Sequence, residues 1–225
     1  TLEYMKSDLS QEEEAKGFFR FFKIFVATKT IIRSYEHTSI PIWLMMLLAS
    51  IAGTSWMYEG YFSEYMGNHI PYPFILLHGA GFGILVGNFL LFFGSFILQW
   101  LGRLFFGSKA PYRDVLKACT LTVIFPSTLF ALTWIFTVGL LGPYTFVKIS
   151  PYLDQHYEVW YYLSVLPLVD AYTKTWIFGM AVLGLVAVMK LRIWQAFIIA
   201  ITPIALFFLI MTLLYDVQRA MNWLM

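Results

Sequence analysis

The run F-I-L-L-H-G-A-G-F-G-I-L-V-G-N-F-L-L-F-F-G-S-F-I-L-Q-W-L, residues 74–101, decides the fold. It contains no Asp, Glu, Lys or Arg, and the charge-free window around it extends from Tyr65 to Gly102. The hydrocarbon core of a bilayer takes about 20 apolar residues of helix. The run exceeds that length and reads as a transmembrane helix.

Four further stretches read the same way. No charge occurs from His37 to Tyr58, which gives a first span at about Ile40–Met57. The Phe74–Leu101 run is the second. Ala118–Val147 is also free of charge, and a third span fills about Val115–Leu140. A fourth ends at Met189, and counting back about 20 residues reaches Asp170. The fifth is about Ile193–Leu214. Lys190 and Arg192 flank a very short link between the last two, which predicts an antiparallel helical hairpin. The fold class expected is all-α: a polytopic membrane bundle of five transmembrane helices with an N-terminal amphipathic interfacial helix. The expected divisions are a cytoplasmic segment at 1–39, a membrane domain at 40–215 and a short extracytoplasmic tail at 216–225.

Composition agrees. Of 225 residues, 60% are hydrophobic, 20% aromatic and only 12% charged, with a mean hydropathy of +0.70. Soluble domains carry about 25% charged residues, so an ordinary soluble surface is excluded. The net charge of +2 gives no argument for nucleic acid. The single cysteine, Cys119, rules out an intramolecular disulfide and a multi-cysteine metal site. The first apolar stretch begins after about 40 polar or amphipathic residues, too late for a cleavable signal peptide. The first span is therefore expected to remain as an anchor.

Orientation follows from Lys and Arg in the connections. Residues 1–39 carry six, the 58–73 loop none, the 102–117 loop four, the 141–169 loop one, the last link two and the tail one. The series alternates at every crossing. It predicts a cytoplasmic N-terminus and an extracytoplasmic C-terminus.

Before the first span, Ser10 and Glu13 have the spacing of a capping box. At about 100° per residue, Phe18, Phe21, Phe22, Phe25 and Ile32 fall on one side of a helix. Lys16, Arg20 and Lys23 fall on the other. Lipid-interface residues are therefore expected at Lys16, Arg20, Lys23, Phe18, Phe22 and Phe25, with aromatics in the acyl boundary and cations among anionic headgroups.

Inside the second span, Gly79, Gly83 and Gly87 recur every four residues. Two overlapping G-x-x-x-G steps make a smooth groove for close helix packing. H-G-A-G-F-G is no dinucleotide loop, since no strand precedes it. His78 opens the same helix near one interface and reads as structural. Pro126 and Pro203 should kink or locally open their helices, with Ser127 and Thr128 able to satisfy freed carbonyls. The aromatics from Tyr144 and Phe146 to Tyr162 read as an interfacial belt or a docking surface.

Asp170 and Lys174 form the one ionisable pair near the hydrophobic zone of the fourth span. Their i,i+4 spacing puts them on one helix face. Two readings stand. Pro167 and Asp170 can mark a helix start at the membrane boundary, with Lys174 snorkelling, or the pair can be a functional polar site. No sequence set supports catalysis: H-E-x-x-H, G-x-S-x-G and phosphate-loop motifs are all missing. No enzyme activity, cofactor or metal is expected.

Two segments carry a family resemblance. F-F-G-S-K-A-P-Y-R-D-V-L-K-A (105–118) followed by Phe125–Pro126, and L-P-L-V-D-A-Y-T-K-T-W (166–176) followed by Gly184 and Ala196, resemble the Ypt/Rab-interacting protein (YIP) family. In the second segment the Asp-to-Trp signature falls on Asp170 and Trp176, so Asp170, Lys174 and Trp176 form the candidate polar site. The resemblance implies a membrane-embedded helical module, known in eukaryotes for vesicle trafficking with small GTPases. The long polar N-terminal domain of the eukaryotic pattern is missing here. That speaks against a small-GTPase partner and for the prokaryotic type in a cytoplasmic membrane. The function expected is a non-enzymatic scaffold or accessory subunit of a larger transport or trafficking assembly, with membrane lipids and other membrane subunits as partners. The alternatives are a small transporter or channel using Asp170 and Lys174, and a lipid-binding, membrane-shaping protein.

Overall fold

The structure is a computed structural model that describes residues 40–147 and 157–224. The described elements are helical. Helix α1 spans Ile42–Ser63 and starts directly after Pro41. Helix α2 spans Tyr72–Phe106, with Pro73 in its first turn, where a missing N–H leaves no bond unmade. It stops at Gly107, whose φ of 63° is the left-handed conformation that closes a helix at low cost in glycine. The next N–H, from Ser108, reaches back to Gly102 O at 3.1 Å.

The third crossing is built in two halves. Helix α3 spans Tyr112–Cys119, a π-helical turn covers Thr120–Ile124, and helix α4 spans Phe125–Leu141. Pro126 has no N–H to give to the turn before it, and the widened π turn sits at that point. Thr128 Oγ1 lies 2.9 Å from Ile124 O and 3.0 Å from Leu48 O, so one hydroxyl serves its own helix and α1. A 3₁₀ turn at Gly142–Phe146 follows. Helix α5 spans Tyr157–Met189 and helix α6 spans Ile193–Leu224. Lys190 reverses the chain between them with a φ of 55°.

Three stretches are long and apolar enough to cross a membrane: Tyr72–Phe106, Tyr112–Phe146 and Tyr161–Met189. Ile193–Leu206 is a shorter apolar helix. The architecture is an all-α membrane bundle, and the chain is an integral membrane protein.

Several boundaries differ from the sequence reading. Helix α1 runs through Glu59, which the charge pattern had put in a loop. Helix α5 begins at Tyr157, more than three turns before Asp170, so Asp170 is no N-cap. Pro167 lies inside that helix; a membrane bundle tolerates such a break because neighbouring groups can satisfy the freed carbonyl. Helix α6 continues through Leu224, across the expected boundary at 215. The amphipathic stretch, with Lys16, Arg20, Lys23, Phe18, Phe22 and Phe25, lies outside the described residues.

Helices α1 and α2 pack most extensively, antiparallel, through small residues. A Cβ on Gly83 would collide with the Thr54 backbone, and one on Gly87 with the Ala49 carbonyl. On Gly53 it would lie 2.7 Å from Gly87 Cα. Gly79 backs onto the ring of Tyr58. The contact thus rests on Ala49 and Gly53 as well as on the α2 glycines, and close backbone approach is what such positions permit. Gly81, one step off the stripe, faces open space.

Two buried clusters result. One gathers Met45, Ala49, Leu91, Val115, Leu185 and Ile199 near the start of α1. The other gathers Tyr58, Tyr61, Ile75, Trp134, Phe146 and Leu166 near its end. Phe146 has 0% exposure and lies against Gly67, so it is core rather than interfacial belt. Helix α3 packs against α5, whereas α4 packs chiefly against α1 and touches α5 little. The two halves of the third crossing therefore have different partners. A gap opens between α4 and α5 beyond the π turn.

Candidate functional site, an ion triad beside an intramembrane cavity

Lys174 Nζ lies 2.7 Å from Asp170 Oδ2, one helical turn earlier on α5. The same ammonium pairs with Glu59 Oε1 on α1. Asp170 is buried at 8% exposure, Glu59 is partly buried, and the lysine side chain is about half exposed. Asp170 Oδ1 is buried with no hydrogen-bond partner among the described residues. Two carboxylates thus share one ammonium. In a low-dielectric setting such a group is worth more, and costs more when left incomplete, than the same group in water.

The triad forms part of the wall of a cavity of about 520 Å³. Trp56 and Gly60 of α1, Ser127 and Phe130 of α4, and Phe178 of α5 contribute much of the rest. Leu90 and Ile204 also line it, and both are exposed, at 47% and 45%. The cavity sits between the two buried clusters, with Trp56 and Phe178 against one and Phe130 against the other. Its lining is apolar apart from the triad, Ser127 and Thr173.

The sequence brought Asp170 and Lys174 together and missed Glu59. A reading that continued α1 past Tyr58 would have put Glu59 on that helix, though not beside Lys174. Trp176 does not line this cavity. It borders a neighbouring one of about 330 Å³ with Pro126, Phe130 and Tyr172, and meets the Tyr172 ring edge-on at 6.1 Å.

Several other polar groups at depth are paired internally, although Ser55 Oγ, Asn88 Oδ1 and Trp134 Nε1, like Asp170 Oδ1, have no hydrogen-bond partner among the described residues. Asn88 Nδ2 donates to Ser50 Oγ at 2.9 Å and to Ile84 O at 2.8 Å. Gln99 Nε2 donates to Ala110 O at 2.9 Å, holding the loop after α2. His78 Nδ1 is hydrogen-bonded to the Tyr61 hydroxyl and its ring stacks on Phe74 with centroids 5.6 Å apart, so it joins α1 to α2. Among the described residues no group of three or more His, Cys, Asp or Glu could hold a metal.

Fold and site together define a helical integral membrane protein with a charged group inside the bundle. The family model of the Yip1 domain matches residues 29–214, most of the chain, and the protein belongs to that family. No curated protein and no solved structure matches it.

Proposed function

We propose that this protein is a non-enzymatic scaffold or accessory subunit of a larger membrane assembly serving transport or trafficking. The observation that carries the reading is the outer face of α2. Leu77, Leu85, Phe89 and Phe93 are exposed there, opposite the buried glycine stripe, and Phe82 and Phe96 are exposed beside it. Lipid covers any apolar surface, but aromatic side chains are enriched where proteins meet. Family membership adds support, since the family is associated with membrane trafficking and is not known as enzymatic. We place the N-terminus on the cytoplasmic side of the membrane, on the strength of the Lys and Arg distribution. A small-GTPase partner is not part of this reading.

The test is affinity purification in mild detergent from the native membrane, with wild type beside a Phe89→Ala/Phe93→Ala variant. Stoichiometric membrane subunits with wild type, lost from the variant at equal expression, support the proposal. A solitary chain in both preparations overturns it.

A further inference from the structure

Among the described residues, the cavity wall carries charge only at Glu59, Asp170 and Lys174. Two carboxylates against one ammonium leave one negative charge when all three are ionised. Lys174 occupies Asp170 Oδ2 and one oxygen of Glu59. Asp170 Oδ1 is a buried acceptor with no hydrogen-bond partner among the described residues. A buried polar oxygen without a donor is costly, and a charged one more so. With all three groups ionised, the wall has room for one further hydrogen-bond donor at Asp170 Oδ1, and a cationic donor would also offset the net negative charge.

The rest of the cavity restricts what brings that donor. Its volume of about 520 Å³ is that of a ligand site. Its other walls are chiefly apolar: Trp56, Leu90, Phe130, Phe178 and Ile204. Leu90 and Ile204 are also exposed on the outer surface of helices α2 and α6. In a bundle embedded in a bilayer, that surface meets lipid. Where Leu90 and Ile204 border it, the cavity therefore reaches the lipid-facing surface. A ligand entering there has apolar chains and a polar head.

We propose that the cavity is a binding site for a membrane phospholipid with an ammonium headgroup. The ammonium donates to Asp170 Oδ1 and faces Glu59. The lipid phosphate lies near Lys174, the one cation on the wall. The first part of an acyl chain runs along Phe130 and Phe178 and leaves past Leu90 and Ile204. An anionic phospholipid without an amine brings a second negative charge and no cation to a wall already negative, and is disfavoured. This inference does not depend on the scaffold reading, because it concerns the isolated chain.

The experiment uses the full chain, purified in mild detergent and stripped of lipid. It is titrated with dioctanoyl-phosphatidylethanolamine, dioctanoyl-phosphatidylglycerol or soluble phosphoethanolamine, and bound species are counted by native mass spectrometry. The phosphatidylethanolamine should be retained at least tenfold better than the phosphatidylglycerol, and phosphoethanolamine should bind far more weakly than the lipid. Asp170→Asn should abolish the headgroup preference. If that variant fails to fold, Leu90→Trp serves instead: it fills the mouth from an exposed position and should reduce phosphatidylethanolamine retention at least fivefold. Equal retention of the two lipids overturns the proposal. So does a preference that survives in Asp170→Asn, phosphoethanolamine binding as tightly as the lipid, or full retention by a folded Leu90→Trp protein. None of these outcomes bears on subunit partners, so the two readings fail separately.

Discussion

Lys174 on α5 is ion-paired with Glu59 on α1, 115 positions earlier in the chain. Helices α1 and α5 have little other contact. The pair therefore crosses the side of the bundle where the cavity lies, and it holds Asp170 in the same group. Its removal is expected to loosen this side of the fold specifically.

Lys174→Met leaves Glu59 and Asp170 as neighbouring like charges. The expected loss is about 2 kcal/mol, the scale of a charge-assisted hydrogen bond. Adding Glu59→Gln should restore part of it, because the remaining carboxylate no longer faces a second one. Thermal unfolding of the single and double variants in detergent checks this. Strictly additive losses would show that the three groups do not act as a unit.

Gly83→Leu should disrupt the α1–α2 contact, since even a Cβ at Gly83 meets the Thr54 backbone. Overpacking costs about 1–3 kcal/mol and more where backbone must move. Gly53→Leu should behave alike. Gly81→Ala, at a position facing open space, should leave the detergent melting temperature unchanged.

Phe146→Ala should destabilise as a core substitution does, by about 3–5 kcal/mol. The residue sits in a connection but is fully buried against Tyr58 and Tyr72, with ring centroids 6.2 and 6.3 Å away. Tyr144→Ala, at an exposed position in the same turn, is the control. Equal melting temperatures for the two variants would contradict the assignment of Phe146 to the core.

Reporter fusions after Met225 and within residues 102–114 should locate to opposite sides of the membrane, following the alternation of Lys and Arg. Matching sides would overturn the proposed orientation.

Replacing Lys16, Arg20 and Lys23 by neutral residues should weaken association of the N-terminal segment with anionic vesicles by about 1 kcal/mol per charge. A spin label at Phe22 that reports bulk water would exclude the interfacial placement.

The sequence by itself determined that this chain is a helical membrane protein. Charge-free runs of 20 or more residues admit few other readings, because a charge inside hydrocarbon is costly. It also showed the glycine period of α2 and the Asp170–Lys174 pair, since i,i+4 neighbours share a face on any helix. It did not show where α5 begins: Pro167 looks like a start signal, and only packing inside a bundle lets a helix run through it. Nor did it show that Phe146 is core, because aromatic residues are equally at home at an interface. Glu59 joined the site only in three dimensions. Its partner is 115 residues away, and no local period links them. The cavity exists because α3 leans on α5 while α4 leans on α1. That division arises from how the halves of one crossing pack, and single-chain periodicity carries no record of it.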